Sequence, residues 1–77
     1  MATLVSAVDV EFTPAAIPFN IQVTGGTANL LRKDTAGAAF AAVASLFNGP
    51  AIVDNPVAGA VFKFTIGTGT PVVQADQ

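Results

Sequence analysis

The sequence predicts an all-β fold, a small β-sandwich or barrel of about six to seven short, mostly antiparallel strands. Turn-forming residues recur along the chain at intervals of about 8–12 residues, as they do in small sandwiches. The clearest runs between these turns alternate apolar and polar residues, the pattern of a strand with one buried face. We therefore expect the 77 residues to form a single small β domain, 1–77, with residues 1–7 as an extended N-terminal arm.

The strongest strand patterns lie in residues 19–24 and 60–66. In the first, Phe19, Ile21 and Val23 alternate with polar residues, and in the second Phe62 and Phe64 lie two apart around Lys63. Weaker patterns predict strands at residues 8–12, 28–33, 51–54 and 71–75. From this alternation we predict a core made of Val10, Phe19, Ile21, Val23, Leu30, Val43, Ile52, Phe62, Phe64 and Ile66.

Glycine, proline, asparagine and aspartate mark the predicted turns between these strands. Turns are predicted at residues 13–18, 25–26, 34–37, 48–50, 54–59 and 67–71.

The alanine-rich residues 38–47 fit two structures. Alanine is the best helix former, and Phe40, Val43 and Phe47 have the spacing of one helix face. Phe40, Ala42, Ala44 and Leu46 have the spacing of one strand face. The strand-like neighbours and the turns on both sides favour a strand, and the sequence leaves both structures open.

The residue types argue against catalysis. The chain has no Cys and no His, so it lacks the usual thiolate nucleophile, the usual proton shuttle and the usual zinc ligands. Neither Ser6 nor Ser45 lies in a nucleophile elbow. Asp9 and Glu11, two residues apart, are most simply a solvated strand face. We therefore predict that the chain is not an enzyme and that it holds no cofactor and no metal.

Composition and charge restrict the partners. The chain is 52% apolar and only 10% charged, with a net charge of −2. A small domain without disulfides or metals is usually stabilised by further chains, so we expect a homo-oligomer. Three cations are too few for nucleic-acid binding. The longest weakly polar stretch is too short to span a membrane as a helix, and the N-terminal residues do not form a signal peptide. We expect no nucleic-acid and no membrane partner.

Four segments carry a resemblance to a known class of proteins. They are Phe-Thr-Pro at residues 12–14, Phe-Asn-Ile-Gln-Val-Thr-Gly-Gly at 19–26, Ala-Asn-Leu-Leu-Arg-Lys at 28–33, and Asn-Pro-Val-Ala-Gly-Ala-Val-Phe-Lys-Phe at 55–64. In size, composition and order of strands and turns, the chain resembles the small β-sandwich virion proteins of tailed bacteriophages, of the capsid decoration or cement type.

The resemblance implies a structural protein that binds the outer surface of a phage head and stabilises it. It implies the major capsid protein or other virion proteins as partners, a homo-oligomer with a trimer favoured, synthesis in the host cytoplasm and location in the virion. Two alternatives stay open: a tail, neck or head-fibre component, and a small binding module for host-surface glycan or protein.

Interface residues are predicted from three features of the sequence. Leu4 and Val5 form an apolar arm that could pair with a neighbouring subunit. Phe12, Phe40 and Phe47 could anchor an interface because large aromatic residues dominate interface energies. Arg32, Lys33 and Lys63 are expected to contact an acidic partner surface.

Overall fold

The structure, a computed structural model, describes residues 2–77; Met1, the first residue of the predicted arm, lies outside them. These residues form one antiparallel sheet of four strands: β1 (Thr3–Val5), β2 (Phe19–Lys33), β3 (Ala41–Val53) and β4 (Val61–Asp76). The strand order is β1-β4-β2-β3. Residues 2–77 contain no helix, and so none long and apolar enough to cross a membrane. The all-β class is confirmed.

The strands are fewer and longer than we predict from the sequence, because three predicted turns lie inside strands. Residues 25–26 belong to β2, residues 48–50 to β3 and residues 67–71 to β4. At the first and last of these places the β2–β4 pairing shifts register, and Gly25 and Gly69 have φ angles of 77° and 67°. Glycine permits a bulge within a strand as readily as a turn between strands.

The other predicted elements have mixed outcomes. Loops at residues 34–37 and 54–59 are confirmed as connections between strands. Of residues 38–47, which fit either a helix or a strand, those from Ala41 onward form the first part of strand β3. Residues 8–12 do not form a strand of their own: only Phe12 pairs, through an isolated bridge to Phe62.

The sheet is bent so strongly that its two ends meet. Phe19 begins β2, whereas Phe62 pairs with Arg32 near the other end of that strand. Their rings nevertheless lie 5.0 Å apart, edge to face. A straight strand of the 15 residues of β2 would span roughly 45–50 Å, but the longest dimension of the molecule is 31 Å. A single bent sheet thus encloses the core, and neither a second sheet nor closure into a barrel is confirmed.

The bend depends on close contact between the glycine segments of β2 and β4. A Cβ atom on Gly26 would lie 2.4 Å from the carbonyl oxygen of Thr68, which is part of the backbone and cannot move aside alone. At Gly37, in the loop after β2, a Cβ atom would have no neighbour within 4 Å.

We therefore expect Gly26→Ala to destabilise the fold by about 2 kcal/mol or more, because β2 and β4 must separate at the bend. The same change at Gly37 should alter the free energy of unfolding by less than about 0.5 kcal/mol. Urea unfolding followed by circular dichroism measures both. Equal stability of the two variants would contradict the close approach at Gly26.

The core lies in the concave side of the bent sheet. Six predicted core residues are buried there: Phe19, Ile21, Val23, Leu30, Phe62 and Phe64. The buried set also includes Val5, Phe12, Ala28, Val53, Ala60, Val73 and Ala75. Phe12 links the two ends of the sheet, since its ring centroid lies 5.8 Å from those of Phe19 and Phe62 and 6.0 Å from that of Phe64.

The core prediction is wrong for four residues. Val10, Val43, Ile52 and Ile66 expose between 46% and 73% of their surface. Ile52 pairs with Asn20, whose side chain is also exposed, so both lie on the convex side. Val43 is the extra residue of a bulge, because the pairing steps from Leu30–Ala44 to Leu31–Ala42. Each bulge changes which residues of the strand face inward, and simple alternation no longer applies.

Candidate protein-binding surface

The structure places the predicted interface residues in different environments. Val5 and Phe12 are each only 7% exposed and belong to the core. Val5 pairs with Ala75 at the edge of β4, and Phe12 exchanges two backbone hydrogen bonds with Phe62. Their side chains are therefore not accessible to a partner in this fold. Leu4 and Phe47 are half-buried and pack against the core.

Lys33 and Lys63 converge on one aromatic ring. Their Nζ atoms lie 4.8 Å and 4.7 Å from the ring centroid of Phe40, which is half-buried just before β3. Lys63 pairs with Leu31 and Lys33 with Val61, so the two lysines are diagonal neighbours on β4 and β2. An ammonium group at this distance is attracted by the ring quadrupole. The convergence joins residues from three parts of the sequence, and no local pattern predicts it.

Arg32, the third predicted cation, has a partner within the chain. Its Nε donates to Asp34 Oδ1 at 2.7 Å, and its Nη2 donates to Asp34 Oδ2 at 3.2 Å. This hydrogen bonding lowers the pKa of Asp34 and raises the pKa of Arg32. Because the pKa of Asp34 is lowered on folding, the pair contributes stability above the ordinary aspartate pKa. The contribution is lost as pH falls through the lowered value.

The lysines differ from Arg32 in having no acidic partner. The Arg32–Asp34 contact is the one ion pair among residues 2–77. Lys33 and Lys63 thus present two uncompensated positive charges beside one ring, in a chain whose net charge is −2. We call Lys33, Phe40 and Lys63 the lysine–phenylalanine cluster.

Large apolar side chains are exposed over much of the molecule. They are Val10, Ile17, Val43, Leu46, Ile52, Ile66 and Val72, each at least 46% exposed. Ile52 and Val72, at 73% and 66%, lie on the convex side of the same half of the sheet, opposite Asn20 and Thr24 of β2 respectively. Single exposed apolar residues are ordinary. Seven of them in a 77-residue chain with 10% charged residues leave a surface with few charges, since soluble domains average about 25% charged residues.

Leu46 is exposed, and its backbone has an unfavourable conformation. Its φ angle is 50°, in the left-handed region that leucine rarely adopts, and its backbone N–H donates to Asn29 Oδ1 at 2.9 Å. It lies in a second bulge of β3, between the Ala28–Phe47 and Leu30–Ala44 pairs. Bulges often redirect a side chain at functional surfaces, and strain at such a residue is held by its surroundings.

Both edges of the sheet have features that hinder pairing with a strand of another chain. Residues 3–5 and the backbone of Asp9 and Phe12 cover stretches of the β4 edge. β3, at the other edge, carries no charged residue but is interrupted by its bulges, by Gly49 and by Pro50. Bulges and proline are common devices that prevent edge pairing. The convex side of the sheet, rather than its edge, is therefore the candidate binding surface.

A shallow depression on this convex side is bordered by Pro50 and Ile52 of β3, Asn20 and Gln22 of β2, and Asp76 of β4. Its lining combines apolar side chains with amides and a single carboxylate. Among residues 2–77, no three potential metal ligands come together. The depression thus places hydrogen-bonding groups beside apolar side chains.

Comparison with protein-family models, with characterised proteins and with solved structures finds no match for this chain.

Proposed function

We propose that the chain is a structural virion protein, a capsid decoration or cement protein that binds the outer surface of a phage head and stabilises it. The observation that carries the binding role is the exposure of large apolar side chains on a small bent sheet. The location on a phage head is supported by the resemblance of residues 12–64 to small virion proteins. We propose that the two halves of the bent sheet correspond to the two layers of the sandwich in such proteins.

The apolar surface is sufficient for a docking role. Burying a few hundred Å² of apolar surface contributes several kcal/mol at about 25 cal/mol per Å², before the cost of association. A decoration protein binds in many copies, so a modest free energy per copy adds up over the shell. Oligomerisation, with a trimer favoured in our proposal, increases the apparent affinity further because several copies bind together.

The test uses phage heads assembled without this chain, mixed with the purified protein and sedimented. We expect saturable binding and a higher temperature of head disruption. The double variant Ile52→Ser/Val72→Ser should bind at least about tenfold more weakly, because it removes apolar area from the convex side. Val10→Ser/Ile17→Ser, the same pair of changes in the segment before β2, is the matched control and should bind like the parent chain.

Absence of sedimentation with heads, together with binding to tails or to host cells, would overturn the decoration role. Light scattering over a dilution series gives the mass of the free protein. A mass of three chains is expected, and a stable monomer at all concentrations would contradict the trimer.

A further inference from the structure

We propose that the lysine–phenylalanine cluster is a binding site for carboxylate groups of an acidic protein segment. Only the identity of the protein that supplies this segment rests on the proposed function. Binding at the cluster can be measured without any phage component.

The geometry concentrates positive charge at one place. Lys33 and Lys63 are diagonal neighbours on paired strands, which places such residues about 7–8 Å apart. Both Nζ atoms lie within 5 Å of the Phe40 ring centroid, at 4.8 Å and 4.7 Å. Like charges beside the same ring repel each other, and a carboxylate bound near both offsets this repulsion.

The chain does not supply that anion itself. It contains five carboxylate residues, yet neither lysine forms an ion pair with any of them among the residues that the structure describes. Arg32, adjacent in sequence to Lys33, forms its pair with Asp34. The contrast separates a cation that stabilises the loop after β2 from two cations that remain free to bind a partner.

The ring and its surroundings favour a peptide over an isolated ion. An ammonium group has three N–H donors, and contact with a ring face uses at most part of this capacity. The remaining N–H groups can donate to carboxylate oxygens, while Phe40 and the half-buried Leu31, which pairs with Lys63, offer apolar contact to the aliphatic stems of acidic side chains. Two lysines are too few to follow a nucleic-acid backbone.

The experiment titrates the isotopically labelled protein with hexaglutamate and follows its backbone amide signals by nuclear magnetic resonance. We expect shifts centred on Lys33, Phe40 and Lys63 that weaken as sodium chloride is raised from about 20 mM to about 200 mM. Hexaglutamine controls for peptide contact without charge. A heptathymidine oligonucleotide, whose phosphodiester charge equals the charge of hexaglutamate, tests the nucleic-acid alternative.

Lys33→Gln/Lys63→Gln should weaken hexaglutamate binding at least about tenfold. Arg32→Gln is the control: it removes the charge that is paired within the chain, so binding should change by less than about twofold. Circular dichroism spectra establish that each variant is folded. Phe40→Leu, which keeps both charges, separates the contribution of the ring from that of the ammonium groups.

Three results would overturn the proposal: shifts away from the cluster, equal losses in the arginine and lysine variants, or tighter binding of the oligonucleotide than of hexaglutamate. Failure to bind phage heads while hexaglutamate binding persists would contradict the decoration role alone. Head binding that survives the double lysine variant would show that the decoration surface lies elsewhere, while the hexaglutamate titration still decides the carboxylate site.

Discussion

Phe62→Asp should leave the chain unfolded in water at 25 °C. Phe62 has no exposed surface, and its ring packs against Phe19 at 5.0 Å and Phe12 at 5.8 Å, where the two ends of the sheet meet. Aspartate would remove both contacts, leave a cavity and place an unpaired charge in the core. Together these effects cost more than about 5 kcal/mol. The single core of a chain of this size without disulfides rarely supplies more than about 3–5 kcal/mol, so the folded state should be lost.

Ile66→Asp is the matched control for this prediction. Ile66 lies on the same strand, and simple alternation places it on the same face as Phe62 and Phe64, yet 54% of its surface is exposed. The structure therefore predicts a change of less than about 1 kcal/mol. Far-UV circular dichroism and thermal melting distinguish the outcomes. A folded Phe62→Asp variant, or an unfolded Ile66→Asp variant, would contradict the core that the structure defines.

The contrast between these two residues shows how far the sequence predicts the fold. Alternation correctly identifies the inward face of residues 19–23 and of Phe62 and Phe64, because no bulge interrupts those runs. It fails at Ile66, next to Gly67, where the pairing of β2 with β4 shifts between Thr27 and Ala28. Period-two reasoning holds only as far as the next bulge.

The glycine segments explain the difference in strand number. Gly25 and Gly69 have positive φ angles, as turn glycines do. A turn and a bulge use the same residue and the same backbone conformation. Whether the chain reverses or continues depends on which strand it pairs with afterwards. Both sides of the Gly25–Gly26 segment pair with β4, a long-range fact that local sequence does not contain.

The candidate surface was predictable in its composition but not in its arrangement. Lys33 and Lys63 stand out in the sequence because the chain has only three cations. Their convergence on Phe40 requires the register of β2 with β4 and the course of the loop after β2. The exposure of Leu46 and Ile52 follows from the bulges of β3 and from its pairing with β2. Both belong to tertiary structure.

Asn55→Asp should have the second largest effect, through the one polar residue of the buried set among residues 2–77. Asn55 is 2% exposed, and its Nδ2 donates to the carbonyl oxygen of Ala15 at 2.6 Å and, more weakly, to that of Pro14 at 3.5 Å. These bonds tie the loop before β4 to the segment before β2. A carboxylate there would face carbonyl oxygens and have no donor, at a cost of about 3 kcal/mol or more at pH 7.

The pH dependence identifies the cause of this loss. Burial beside carbonyl oxygens should raise the pKa of the introduced carboxyl above its ordinary value of about 3.9. The folded state then holds its proton to higher pH than the unfolded state does. Relative to the parent chain, the variant should lose stability as pH rises from about 4 to the raised pKa, by up to about 1.4 kcal/mol per pH unit. Below pH 4 the protonated group can donate to Ala15, and the deficit should be smallest.

Asn48→Asp makes the same chemical change at an exposed residue, whose Nδ2 donates to the carbonyl oxygen of Gly26 at 2.8 Å. Water solvates a carboxylate at that position, so the loss should stay below about 1 kcal/mol and vary little with pH. Urea unfolding of both variants and the parent between pH 3 and pH 8 gives the comparison. If Asn55→Asp showed a deficit that did not change with pH, the loss would come from the missing amide donors alone. The charge of the carboxylate would then contribute nothing to the loss of stability. The surroundings of residue 55 would have to solvate a charge almost as well as water does.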